Sequence, residues 1–242
     1  MIKFFRNVRK NLLSQGKTTN YLKYAVGEIV LVVIGILIAL QINNWNESRK
    51  EDKLARQYLQ GIENNLKKDV QSIDTLILSY GKDISLINSV DDVFHSWEFY
   101  NPDKYHVLFI KPDTSKVKYL FYRGVSFRPV RATYNSLVAD GKSGAIKNRK
   151  LFESIQEIYD ESYQRLASIY ETQKPSENRI HWLYPEQKEV WTYSDLKNVK
   201  NKKIFLDLLN LTEIKYLYCQ FLVDIKSKVI EVISQIDNEL NN

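Results

Sequence analysis

The chain has 242 residues, room for one membrane helix and one domain of ordinary size. A mean hydropathy of −0.38 excludes a polytopic membrane protein, and only 8 Gly and 5 Pro favour long helices over an all-β fold. The net charge of +6 belongs to residues 1–23, where Lys3, Arg6, Arg9, Lys10, Lys17 and Lys23 meet no Asp or Glu.

Taking those six from the 35 Lys and Arg leaves 29, against 29 Asp and Glu, so the rest of the chain is neutral. A neutral domain lacks the basic footprint of a nucleic-acid binder, and no nucleic-acid partner is expected. The single cysteine, Cys219, excludes an internal disulfide framework. Among Tyr216, Leu217, Tyr218, Phe221 and Leu222 it reads as a small buried hydrophobe.

The first element is the run 29–40, twelve residues without a charge. A helix from Tyr24 to Trp45 takes 21 steps, roughly 31 Å at ~1.5 Å per residue, matching a hydrocarbon core of ~30 Å. Tyr21 and Tyr24 at one end and Trp45 at the other are placed like an interfacial aromatic belt. A buried soluble helix is the competing reading, disfavoured by the belt and the basic flank. Six Lys and Arg precede the span, against Arg49, Lys50, Lys53 and Arg56 after it, which puts the N-terminus in the cytoplasm. The run leads into Ala39-Leu-Gln-Ile-Asn-Asn-Trp45 without an A-x-A-like cleavage site, so an uncleaved signal anchor is expected.

Two features of this helix bear on function. Glu28 is ionisable and about one turn inside Tyr24, near enough to the interface to reach water or Lys23. Gly27, Gly35 and Ala39 share one helical face, and Gly35-x-x-x-Ala39 is a small-x-x-x-small pattern that lets two membrane helices approach.

Beyond the span, Leu54, Tyr58, Ile62, Leu66, Val70, Ile73 and Ile77 recur every three or four residues and predict an amphipathic helix continuous with it. Gly81 is an expected bend, after which Ile84, Ile87 and Val90 continue the stripe. Residues 98–130 are aromatic and irregular. Asn101-Pro102-Asp103 and Lys111-Pro112-Asp113 are turn signals, and residues 117–122 suit either a short strand or a helical turn. Helical pattern returns over 131–139 and stops at Asp140-Gly141, where glycine suits a left-handed cap. Asn148 is the expected N-cap of a helix buried through Leu151, Ile155, Ile158, Leu166 and Ile169, with Lys174-Pro175 as its expected end. After an aromatic link over 180–200, the stripe from Leu208 to Leu240 predicts a last long helix.

The segment Tyr24-Ala-Val-Gly-Glu-Ile-Val-Leu-Val-Val-Ile-Gly-Ile-Leu-Ile-Ala-Leu-Gln-Ile-Asn-Asn-Trp-Asn-Glu47, after a start Met-Ile-Lys-Phe-Phe-Arg, resembles a family of Bacteroidetes membrane proteins, domain of unknown function 6090. Thr133-Tyr-Asn-Ser-Leu137, Gly141, Ser143-Gly144, Ile146-Lys-Asn148 and Leu151 extend the likeness. Ala145 stands where family members often carry a larger apolar residue. The resemblance implies a single-span envelope protein and carries no activity with it. The expected location is the bacterial inner membrane, with the domain in the periplasm.

A search for chemistry yields little. Asp140-Gly-Lys-Ser-Gly-Ala145 lacks the upstream glycine and strand of a phosphate loop, so a helix–helix turn is the better reading. His95, His106 and His181 lie far apart, no zinc spacing exists, and Asp91-Asp92 reads as a solvated face. No catalytic residue, metal site or cofactor is expected. Arg123, Arg128 and Arg131, beside Tyr119, Phe121, Tyr122 and Phe127, form the best candidate site. They could hold an anion such as a lipid headgroup or a glycan carboxylate, while arginines packed over a bundle end are the plainer account.

The expected fold is mainly α: a transmembrane helix continuing into an antiparallel helical bundle, with a short irregular or β-like aromatic insert near 98–130. Residues 1–23 are the cytoplasmic tail, 24–43 the span and 44–242 the outer domain. The expected function is a membrane-anchored, non-catalytic interaction protein whose partners are the bilayer and another protein or a second copy. A ligand sensor, or an enzyme with an unrecognised site around 119–147, is the alternative.

Overall fold

The computed structural model describes residue 6 and residues 18–91, 99–122, 124–184 and 190–241. Most of the basic tail, Asp92, His95 and Arg123 lie outside the described residues, as do the side chains of Tyr21 and Tyr24. Among the described residues the chain is mainly helical and holds no strand. It divides into two compact units, Met1–Leu54 and Ala55–Asn242.

In the first unit, helix α1 (Thr18–Asn88) carries the apolar run. Each residue from 29 to 47 is exposed, including Leu31, Leu37 and Ile42. This is a helix near the N-terminus long and apolar enough to cross a membrane. Its backbone groups bond within the helix, as a span in hydrocarbon requires. Trp45 is exposed, with the Arg49 guanidinium 5.9 Å from its ring centre.

In the second unit, α1 buries Ile62, Leu66, Ile73, Ile77, Ile84 and Ile87, following the three-and-four spacing of the stripe. Removing each such side chain from water contributes about 1.5–3 kcal/mol. Gly81 does not break the helix. It admits the backbone of the 3₁₀ turn His106–Leu108, since a Cβ there would stand 3.4 Å from the Leu108 carbonyl oxygen. Residues 117–121 form a second 3₁₀ turn, which decides between the two conformations left open for that segment.

Helix α2 (Ala132–Ala139) ends as expected at Gly141, with φ of +64°. Gly141 N donates to Val138 O and Lys142 N to Leu137 O, the paired bonds of a Schellman cap. Helix α3 (Arg149–Gln156) starts at Asn148, whose Oδ1 accepts from Leu151 N at 3.2 Å. A π-helical turn, Glu157–Ser162, follows and leads into α4 (Tyr163–Leu183). This turn places Tyr159 and Tyr163 in the core.

The expected helix end at Lys174-Pro175 is overturned, because α4 runs through Pro175 to Leu183. Proline removes one backbone bond and crowds the preceding turn. Here the turns beyond it bury Glu177 and Ile180, and that packing outweighs the local preference. A short helix, α5 (Tyr193–Asn198), follows within the expected link, fixed by the capping box of Thr192 and Asp195. Helix α6 (Lys203–Asn241) closes the chain and buries Leu208, Leu211, Leu222, Val229 and Ile236.

Helix α6 packs on α3, on α4 and on the π-helical turn. Its contacts with α1 fall in opposite sequence order: Arg56 donates to Leu240 O, Lys226 pairs with Asp74, and Lys215 with Asp83. Cys219 of α6 is wholly buried, and burial pushes its thiol pKa up.

Candidate functional site

One face of α1 repeats polar groups beside its apolar stripe: Ser79, Lys82 and Asp83 follow Leu76 and Tyr80 at three- and four-residue intervals. The segment 113–125 sets Asp113, Lys116, Tyr119, Tyr122, Gly124 and Val125 against that face. Its 3₁₀ turn brings Lys116, Tyr119 and Tyr122 to one side at the three-residue spacing of such a turn. Between the two elements, wholly inside the second unit, is a cavity of about 480 Å³. That is within the ~300–1,000 Å³ of small-molecule sites.

The cavity mouth carries charge and aromatic surface. Lys82 and Lys116 are exposed, and Tyr119 and Tyr122 are 42% and 44% exposed. The two tyrosine rings meet edge to face at 5.4 Å, and the Lys116 ammonium lies 5.5 Å from the Tyr119 ring centre. Asp113 also lines the mouth. Its carboxyl pKa is held below the usual carboxylate range chiefly by the Ser115 hydroxyl, which donates to it. The nearby Lys116 and Lys82 cations act in the same direction.

Deeper in, Asp83 Oδ2 accepts from Lys215 Nζ at 2.8 Å. The Lys215 side chain is 2% exposed and that of Asp83 15%. The same ammonium stands 5.8 Å from the ring centre of Tyr80, itself edge to face with Tyr218 at 5.7 Å. Behind Tyr80 and Gly124 lies Glu177, 1% exposed. Its carboxylate accepts from Gln173 Nε2, and the Tyr170 hydroxyl is 3.3 Å away, donating also to Gly124 O at 2.8 Å. Among the described residues no cation pairs with Glu177, and Gln173 Oε1 is buried with no hydrogen bond. Burial pushes the Tyr80 hydroxyl pKa up, and the Glu177 charge adds to it.

Gly124 makes this back wall possible. A Cβ at that position would overlap the Tyr80 hydroxyl and stand 2.6 Å from Glu177 Oε1. Glycine alone lets the chain pass between these two polar groups and the cavity.

The three arginines singled out by their place beside aromatic residues in the sequence are not all gathered here. Arg123 lies outside the described residues, although Tyr122 and Gly124 on either side of it line the cavity. Arg128 is exposed, and neither it nor Arg131 is among the lining residues. Arg131 is half-buried, with Nη1 donating to Tyr159 O at 2.8 Å and Nη2 to Asp160 Oδ1 at 3.0 Å. It lies beside the rings of Tyr134 and Tyr159, which stack at 4.5 Å. The Tyr134 pKa is pushed up to about 12 by burial and by its hydrogen bond to Asp160. Arg131 therefore uses its donors within the fold. Gly27, Gly35 and Ala39 are all exposed on the first unit, and a Cβ at Gly27 or Gly35 would touch nothing within 4 Å.

Sequence reasoning passed over Lys82, Asp83, Lys215 and Glu177. Lys215 had a legible signal, since it falls on the apolar face between Leu211, Tyr218 and Leu222. Its partner, 132 residues away, had none. Among the described residues no group of three or more His, Cys, Asp or Glu is placed to hold a metal ion. The lining groups can offer ammonium and hydroxyl donors to an anion, carboxylates to hydroxyl groups, and aromatic faces to a ring.

No curated protein and no solved structure matches the chain. Residues 28–219 match Family of unknown function (DUF6090), and the chain belongs to that family.

Proposed function

We propose that this is a single-span membrane-anchored envelope protein of Bacteroidetes type whose helical domain serves binding rather than catalysis. The observation that carries the reading is the apolar face of residues 29–42, exposed all round the helix. A soluble protein rarely leaves so large a contiguous apolar surface in water, and a bilayer covers it. The helix acts as an uncleaved signal anchor, with residues 1–23 in the cytoplasm and 44–242 in the periplasm. The excess of Lys and Arg before the span supports that orientation.

The helices of the second unit form an antiparallel helical bundle in this reading. Its support is the opposite order in which α1 and α6 meet: 56 with 240, 74 with 226, and 83 with 215. The aromatic segment 98–130 is an irregular insert on it and offers the contact surface. The exposed Gly27, Gly35 and Ala39 face would let two spans pack as a homo-oligomer. A sensing role is the second reading, favoured by the cavity on α1.

Protease protection on intact spheroplasts, with a C-terminal tag and a carbonate wash, tests the anchor and its orientation. The expected result is a tag retained in washed membranes and removed by external protease. A tag that survives until lysis reverses the orientation, and a chain released by carbonate refutes the anchor.

A further inference from the structure

The cavity between α1 and residues 113–125 has features that folding alone does not require. A buried ion pair is commonly no better for stability than apolar residues of the same volume. Yet Lys215 is buried where its ammonium bonds Asp83 and stands 5.8 Å from the Tyr80 ring centre, and Asp83 and Tyr80 are two of the groups lining the cavity. Such charged groups gathered at a cavity mark a binding site better than a packing flaw.

The chemistry of the lining narrows the occupant. Asp83 is neutralised by Lys215, which among the described lining residues leaves Lys82 and Lys116 against Asp113 at the mouth, an excess of one positive charge. Tyr119 and Tyr122 leave much of their rings open at the same mouth. Ser79 and Thr75 add hydroxyl groups, and the remaining walls are apolar, with Leu76, Leu86 and Val125. An apolar sheet of C–H groups, hydroxyls around its edge and one anionic group are what this surface complements.

We propose that this cavity binds a small anionic polyol, its acid group between Lys82 and Lys116 and its hydroxylated body against Tyr119 and Tyr122. The acid is a carboxylate if the source is an acidic sugar and a phosphate if it is a glycerophosphate headgroup. The site is independent of the membrane anchor, because every lining residue belongs to the second unit. Failure of one reading therefore leaves the other standing.

Calorimetric titration of the full chain in detergent micelles tests it, with D-glucuronate, glycerol 3-phosphate and neutral D-glucose at equal ionic strength. At least one anion is expected to bind about tenfold or more tighter than glucose, the scale of a charge-assisted contact. Tighter glucuronate identifies the acidic-sugar source, and tighter glycerol 3-phosphate the headgroup source. The double variant Lys82→Glu/Lys116→Glu, at two exposed positions, is expected to lose that binding about tenfold or more with an unchanged melting midpoint. Tyr119→Ala is expected to weaken both anions. No binding by either anion, glucose binding as tightly, or full binding by the double lysine variant would each overturn the proposal.

Discussion

Gly124→Ala probes the back wall of the cavity. The added methyl would overlap the Tyr80 hydroxyl and come within 2.6 Å of Glu177 Oε1. Both neighbours are buried, so relieving the overlap means moving packed side chains. Tyr80 is buried against Tyr218 and Glu177 is 1% exposed, while the Gly124 carbonyl accepts from Tyr170. Overpacking of this kind costs about 1–3 kcal/mol. For a chain of this size, each kcal/mol lowers the melting midpoint by ~2–4 °C, so a fall of about 2–12 °C is expected. The assay is thermal unfolding of the full chain in detergent micelles, followed in the near-ultraviolet by tyrosine circular dichroism. Tyr80→Phe removes the hydroxyl and, with it, the worst overlap. The ring's Cζ at 2.9 Å and Glu177 remain, so the double variant should recover part of the loss. A coupling of at least ~0.5 kcal/mol between the two changes is the expected sign of direct contact. A Gly124→Ala protein that melts with the parent, or costs that simply add, would refute the packing argument.

Two further outcomes follow from the buried charges. Lys215→Ala should cost about 3–5 kcal/mol, because it strands Asp83 without its partner, whereas Lys215→Met with Asp83→Leu should restore most of the loss in the same melting assay. A double variant no more stable than Lys215→Ala would show that the pair contributes more than its own neutralisation. Asp69 is buried, accepts from Val130 N at 2.8 Å, and has its pKa raised by burial. The native state thus keeps this proton to higher pH than the unfolded chain does, so stability falls as pH rises through the raised value. Asp69→Asn keeps an acceptor for Val130 and removes the charge, so it should melt above the parent at pH 8 by a margin that shrinks towards pH 4. An Asn variant that melts below the parent at pH 8 would contradict that sign.

Local rules settled much of the helical pattern before any tertiary contact was considered. Asn148 caps α3 because its side chain reaches Leu151 N at the third position of the helix, and Gly141 ends α2 because its left-handed φ suits glycine. The α1 and α6 stripes were legible for the same reason, since three-and-four spacing puts those residues on one face. Thr192 and Asp195 carried an equally local signal for α5 that lay hidden in an aromatic link. The site was harder to see. Arginines near aromatic residues drew attention to 123–131, but Arg131 spends its guanidinium on Tyr159 and Asp160, and the groups lining the cavity are lysines, acids and tyrosines.

Taken alone, the sequence determined that the chain is mainly helical, where its apolar run lies, and which faces of its long helices turn inward. Those properties depend on residue spacing along one strand of backbone, and hydrophobic burial acts on them directly. Only the tertiary structure decided that α4 continues through Pro175, that Lys215 meets Asp83, and that segment 113–125 closes a cavity over α1. In each case the deciding energy comes from groups far apart in the chain. The burial of Ile180 outweighs a proline's local cost, and a buried ammonium is tolerated only where a carboxylate arrives from another helix.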